Sequence, residues 1–266
     1  DINPEQWYKE YRPLNFIVSG GNANIEVWSS WQKAKLAKLE GEFHYNDFNT
    51  TAGDSELHVQ EMAYRFLGER VGSDGWEFHL NLNQFLTDNG SWPETSIMLS
   101  ASRSDKSNEY KYSANFNFLK LDDLSPFIRN MTFLPEEVKD KLADLSIMGE
   151  IGQGKLIYDP ENEPEQRFRF DTRFSDINAN FGAQLPSLSN LSGHIYGYLN
   201  QGEISLDSGE TTINSEFLES KSLLLQKLKG KINWHKKENV WQLNTDLLQI
   251  RTTDLSAKLS GAITKN

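Results

Sequence analysis

The residues able to do chemistry are few, and their spacing suits none of the usual reactions. Five histidines (His44, His58, His79, His194, His235) are scattered along 266 residues, with no His-Glu-x-x-His or comparable ligand spacing. Alternation puts His44, His79, His194 and His235 on the water-facing side of their segments, where a solvated imidazole is expected rather than a metal ligand. The chain has no cysteine, which removes thiol nucleophiles, disulfides and cysteine zinc sites. No Gly-x-Ser-x-Gly elbow is present. Gly149, Gly152 and Gly154 stand in the wrong order for a dinucleotide fingerprint and are expected between strands, not ahead of a helix. Asp122-Asp123 and Glu136-Glu137 are adjacent acids at expected helix starts, where capping and the helix dipole account for them. Carboxylates from separate strands could meet as a glycosidase pair does, but nothing marks such a pair. Seven tryptophans could supply a sugar platform, yet Trp76, Trp234 and Trp241 fall on the apolar side of their segments, where packing or groove lining is the better account. The expectation is a protein without catalysis, metal or cofactor.

The elements that would position any site are strands. Lys227 to His235 reads Lys-Leu-Lys-Gly-Lys-Ile-Asn-Trp-His, with one side apolar and the other wet, the period-two signature of an amphipathic strand. Trp76, Phe78, Leu80 and Leu82 repeat the pattern. So do Phe168, Phe170, Thr172 and Phe174; Trp241, Leu243, Thr245 and Leu247; and Leu255, Ala257, Leu259, Gly261 and Ile263. Weaker examples, including 112–118 and 193–199, bring the expected number to about a dozen strands. Turn clusters such as Ser73-Asp74-Gly75 and Asp88-Asn89-Gly90-Ser91 separate them, so an antiparallel meander is expected. Between Leu121 and Leu145 the apolar spacing turns helical. Leu121, Leu124, Phe127, Ile128 and Met131 fit one short helix; a second starts at Pro135, with Val138, Leu142 and Leu145 as its stripe. Asp1 to Tyr11 fits a further helical turn.

One short phrase recurs: apolar, any, Gly, any, apolar. It occurs at Leu39-Gly41-Phe43, Ile147-Gly149-Ile151, Leu191-Gly193-Ile195, Leu228-Gly230-Ile232 and Leu259-Gly261-Ile263. Each Gly leaves a notch on the apolar side, open to close approach by another group or to a bend.

Hydrophobic residues make up 37% of the chain and the mean hydropathy is −0.61, low for a compact enzyme but too apolar for disorder. The net charge of −11 argues against a nucleic-acid partner. The local basic groups, Lys227/Lys229/Lys231 and Arg167/Arg169/Arg173, read as a solvated outer sheet face. No apolar run reaches the roughly 18 residues of a membrane helix. The chain starts at Asp1, as a processed chain or a segment of a longer one would. An apolar sheet face needs cover, and the helical stretch is too small to supply it. A sandwich, a filled barrel and an open trough holding apolar ligand all share this local pattern; a membrane barrel is disfavoured by the helical stretch and the charges.

A block-wise resemblance bears on that choice. Leu121-Asp-Asp-Leu-Ser-Pro-Phe-Ile leads, through a short helix, to Ile147-Met-Gly-Glu-Ile. Phe168-x-Phe170-x-x-x-Phe174-Ser-Asp-Ile and Leu185-Pro-Ser-Leu-Ser-Asn-Leu-Ser-Gly193 follow. Then come Gly202-Glu-Ile-Ser-Leu-Asp and Leu228-x-Gly-x-Ile-x-Trp234 with Trp241-x-Leu243. In this order the blocks, best over about 119–263, resemble the middle portion of YhdP-type members of the AsmA-like family of bacterial envelope proteins. The resemblance implies a mainly β fold: a long, twisted antiparallel sheet curled into an open trough, with residues 1–120 and 146–266 as its two parts and a helical insertion at 121–145. It implies a periplasmic bridge that carries phospholipid acyl chains between inner and outer membrane, anchored in the inner membrane through regions outside this segment and meeting membrane components there. The family brings no catalytic residues. Phe78, Leu80, Phe116, Phe118, Phe168, Phe170, Ile195, Ile232, Trp234, Leu243 and Leu259 are the expected lipid-groove lining. The alternatives are a closed β-sandwich module, with the same residues as its core, and a carbohydrate-active β-protein.

Overall fold

Alternating apolar and polar side chains become strands wherever turns let neighbours pair, and here they do so almost end to end. The computed structural model describes residues 17–265 apart from 53–54, 73, 105, 107, 129–145, 181–185, 217–220 and 238–239. The expected turn at Asp1–Tyr11 and the second helix from Pro135 lie outside the described residues. The chain divides into two units, the first formed by residues 1–103 with 112–143 and the second by 104–111 with 144–266.

The first unit holds β1 (Ile17–Ser19), β2 (Asn22–Gln32), β3 (Lys35–Ala52), β4 (Ser55–Val71), β5 (Gly75–Thr87), β6 (Gly90–Ser91), β7 (Thr95–Arg103), most of β8 (Tyr110–Lys120) and helix α1 (Leu121–Ile128). Its strands pair in chain order. β2 lies on β3, β3 on β4, β4 on β5 and β5 on β7, all antiparallel. The second unit holds β9 (Ser146–Tyr158), β10 (Phe168–Asn180), β11 (Ser187–Tyr198), β12 (Gln201–Ser208), β13 (Thr211–Asn214), β14 (Ser222–Leu225), β15 (Lys227–Lys237), β16 (Val240–Arg251) and β17 (Ser256–Lys265). It runs β9, β10, β11, β12, β15, β16, β17, with β13 and β14 as a small hairpin beside β11.

The mainly β, antiparallel class expected from the alternation is the one observed, and among the described residues the strands of neither unit close into a barrel. Among the described residues seventeen strands stand where about a dozen are expected. The additions include β1, β6, β13 and β14, two to four residues long, too short for period two to register. Gly149, Gly152 and Gly154 lie inside β9, not between strands. Helix α1 is described over Leu121–Ile128, and Met131, expected on its stripe, lies outside the described residues.

Sheet faces are little covered. Among the described residues, the buried apolar side chains include Phe48, Val59, Leu82 and Trp92 in the first unit and Ala179, Leu225 and Leu228 in the second. Large apolar residues stay open on many strands, among them Leu99 at 45%, Leu259 at 48% and Ile263 at 68% exposed. A sandwich core buries its inner-face residues almost completely, so neither unit has that construction along these strands.

The recurring Gly phrase has a physical basis at four of its five places. A Cβ on Gly41, Gly149, Gly193 or Gly230 would come within 3 Å of the backbone carbonyl oxygen of Glu26, Asp176, Ser205 or Leu247, respectively. Each is a point where the neighbouring strand crowds in, which permits sharp local coiling. Gly149 also has φ of +120°, and Asp176 against it stands at +53° beside a register shift in β10. Gly261, on the last strand, has nothing within 4 Å.

Candidate functional site

In the second unit the registers join the apolar positions into continuous rows that run across the strands. One row is Leu156, Phe170, Gly197, Gly202, Trp234, Leu243 and Ile263, one residue from each of seven neighbouring strands. A second is Ile151, Phe174, Gly193, Leu206, Gly230, Leu248 and Leu259. Between them stand Thr172, Ile195, Ile204 and Ile232. At about 4.8 Å per strand, each seven-strand row is roughly 29 Å long. The result is one broad apolar floor, open on the side away from the backbone layer.

Glycines shape that floor. Trp234 on β15 lies against Gly202 on β12 and Gly197 on β11, where an added Cβ on either would meet its indole ring. The ring thus reaches across two strands and stacks on Phe170 of β10, centroids 6.0 Å apart and planes 3° from parallel. Phe174 covers Gly193 in the same way. Aromatic rings laid over strand glycines restore packing that a missing side chain would forfeit.

All seven second-unit residues expected to line the groove, Phe168, Phe170, Ile195, Ile232, Trp234, Leu243 and Leu259, share this face. Leu247, grouped with Trp241 and Leu243 by simple alternation, does not. A bulge between Thr245 and Leu248 shifts the phase, so Leu248 and Ile250 take the apolar positions beyond it. Period two cannot reveal a bulge, since both parities stay apolar at Leu247-Leu248.

In the first unit Phe78 lies opposite Gly68 and Leu99, and Leu80 opposite Phe66 and Ile97. The rings of Phe43, Phe66 and Phe78 form a run across three strands, with centroids 5.4 and 5.6 Å apart. On β8 the Ser113 hydroxyl meets that of Ser100 at 2.7 Å on the polar side. Even positions of β8, Phe116 and Phe118 among them, therefore share the apolar face, and the Phe118 ring lies edge-on to Trp92 at 5.5 Å.

A feature that the sequence did not disclose lies beside Trp92. Asp123, on the first turn of α1, is fully buried. Its carboxylate accepts from the Trp92 indole N–H at 2.5 Å, the Asn89 amide at 2.8 Å and the Thr87 hydroxyl at 3.0 Å. Trp92 also packs edge-on to Phe85 at 5.0 Å. The carboxylate pins α1 over the apolar face at the Thr87 end of the strands, where Val59, Thr87 and Thr95 are 1–2% exposed. The capping account of Asp122-Asp123 misses this because the three donors lie more than thirty residues away in sequence.

The opposite face of the second unit is polar and cross-braced. Lys229 donates to Asp207 at 2.7 Å, Lys231 pairs with Glu203 at 2.8 Å, and His194 meets Asp171 at 2.6 Å. Hydrogen bonding from Lys231 holds the Glu203 carboxyl below its ordinary value, and Lys229 does the same to Asp207. A depression of about 790 Å³ lies over these pairs, lined by Arg173, His194, Glu203, Lys229 and Lys231 among others. Ion pairs already satisfy most of those charges, and nothing about the depression converges on one point, so the apolar floor is the stronger candidate. Among the described residues no group of three or more His, Cys, Asp or Glu could hold a metal ion. No helix of the described residues is long and apolar enough to cross a membrane.

Comparison with known proteins adds one finding. The family model described as "YhdP protein" matches residues 1–265. No curated protein matches the chain, and no solved structure does.

Proposed function

The chain belongs to the YhdP family, and from that premise we propose that it is a segment of a periplasmic bridge that shields phospholipid acyl chains on an apolar sheet face during transfer between inner and outer membrane. The observation that carries the reading is the uncovered floor of the second unit: Trp241, Leu243, Leu259 and Ile263 keep 39–68% of their surface open. An apolar face left in water is disfavoured by about 25 cal/mol per Å², and each acyl CH₂ moved from water onto apolar surface gains up to about 0.8 kcal/mol. A lipid tail lying along a row of seven strands satisfies both. The role requires no catalysis, metal or cofactor; it requires continuity of the floor and weak, repeated contacts. Membrane components are met through regions outside this segment.

The alternative of a closed sandwich module needs Leu243 and Leu259 inside a core, and both are more than two-fifths exposed. The test is native mass spectrometry of the chain purified from a bacterial periplasm without detergent. Phospholipid adducts in substoichiometric to stoichiometric amounts are expected. A folded protein that is repeatedly free of lipid, and takes none up from vesicles, overturns the proposal.

A further inference from the structure

One turn of the first unit is held from both faces of the sheet, and one of the two holds titrates. Asp88 and Asn89 connect β5 to β6, closed by the Thr87–Gly90 pair. From the apolar side, the buried Asp123 carboxylate of α1 accepts from Asn89 and Thr87. From the polar side, His58 Nδ1 meets the Asp88 carboxylate at 2.9 Å, and Gln60 donates to the same oxygen at 3.1 Å. His58 and Val59 are neighbours on β4 and so face opposite ways; Val59 is buried on the side that α1 covers. The other ring nitrogen, Nε2, meets Asp47 of β3 at 3.0 Å. Strand pairing gives little support along this line. The β3–β4 register passes from Asn46–Glu61 to Phe48–Val59 and leaves out Asp47 and Gln60. Asp47 has left-handed backbone, with φ of +56°, and β4 shifts register against β5 between Val59 and Glu61. The side-chain brace spans the place where the ladder is interrupted.

The groups around His58 set how it responds to pH. Asp47 approaches from β3 and Asp88 from the turn; Asn49, opposite on β3, is uncharged, and Glu56 lies two residues away on the same side of β4. Lys120, the last residue of β8, donates to the Asn89 carbonyl. A neutral imidazole has one N–H and one lone pair, so it donates to one carboxylate and turns a lone pair on the other. Both bonds therefore need the imidazolium, and loss of its proton breaks one of them. We propose that His58 is a pH-sensitive latch on α1: with its proton it ties the β5–β6 turn to β3 and β4 and so fixes Thr87 and Asn89 as donors to Asp123, and without its proton α1 seats less firmly over the apolar face. The Asp47 and Asp88 side chains are 86% and 62% exposed, and Trp92 keeps its own bond to Asp123. The latch is accordingly graded, changing α1 seating by about two- to fivefold rather than releasing the helix. It is independent of any cargo.

The experiment is hydrogen exchange of the full chain from about pH 6 to about pH 9. Exchange of the α1 amides in wild type is divided by that in His58→Gln at each pH, which cancels the intrinsic pH dependence of exchange. Wild-type α1 is expected to be about two- to fivefold better protected at the acid end, and the two proteins should converge at the alkaline end. Asp88→Asn should shrink the difference in the same way, and it answers the question alone if His58→Gln does not fold. His44→Gln, which removes another polar-face histidine of the first unit, should keep the wild-type profile. Equal α1 protection in wild type and His58→Gln across the range overturns the latch. So does a pH-dependent loss of protection shared equally by α1, β3 and β4, because His58 would then stabilise the unit as a whole and not the seating of α1.

Discussion

Leu225 and Leu243 are both strand leucines of the second unit, yet one is fully buried and the other 43% exposed. The same substitution should therefore have opposite consequences. Leu225→Asp buries an unpaired carboxylate, a change that costs several kcal/mol, and is expected to abolish the cooperative thermal transition. Leu243→Asp leaves its carboxylate in reach of water, so the melting midpoint should move by no more than a few degrees while lipid capture in native mass spectra is lost. Unfolding of Leu243→Asp would show that the floor is a closed core. A second residue-scale consequence concerns His58. Its Nδ1 meets Asp88 at 2.9 Å and its Nε2 meets Asp47 at 3.0 Å, so both nitrogens must carry hydrogen for both bonds to form. The Asp88 bond first, and then the Asp47 bond, raise the imidazole above its ordinary value of 6.5. A group raised in the folded state contributes stability that is complete below 6.5 and is lost as pH climbs through the folded value. Asp88, lowered by His58, contributes stability above its ordinary 3.8 that is lost as pH falls through its folded value. The melting midpoint should thus decline as pH rises from 6.5, and His58→Asn should flatten that part of the profile.

The strands themselves rest on glycine at chosen points. Gly193→Ala would drive a methyl group into the Ser205 carbonyl and the Phe174 ring. Relief requires the strands to part, at a cost on the order of 1–3 kcal/mol. Gly261→Ala meets open space and should change stability by less than about 0.5 kcal/mol. Urea denaturation of the pair gives the comparison; equal effects would mean that the Gly phrase carries no packing role. Much of this was legible beforehand. Trp76 to Leu82 and Phe168 to Phe174 announced their faces by alternation alone, because a strand's parity is local information. The notches at Gly41, Gly149, Gly193 and Gly230 were visible as a phrase, though not what filled them. The bulge at Thr245–Leu248 was not legible, since Leu247 and Leu248 are interchangeable to a period-two pattern. Nor was the Asp123 anchor, whose partners Thr87, Asn89 and Trp92 are gathered by the tight turn between β5 and β6 and lie more than thirty residues away in sequence.

Within each unit, stability comes from strand-to-strand contacts more than from a buried interior, because burial among the described residues is sparse and most strands pair with a neighbour close by in sequence. Each strand depends chiefly on its immediate partners, as repeats do in a solenoid. Hydrogen exchange is expected to show this directly: Gly193→Ala should raise exchange in β10, β11 and β12 and leave β3 and β4 at wild-type protection. A uniform loss of protection would indicate one cooperative core instead. The alternation in the sequence foretold the one-sided faces but not which side would be left bare, because cover is decided by what the rest of the chain does with its few helices. The sequence-ordered ladder also bears on how such a protein changes over evolutionary time. A globular interior resists insertions, since every added side chain must be fitted among fixed neighbours. Here a duplicated hairpin has two boundaries to match and little interior to refit, so the length of an apolar path becomes a quantity that selection can set in steps of about 10 Å per strand pair.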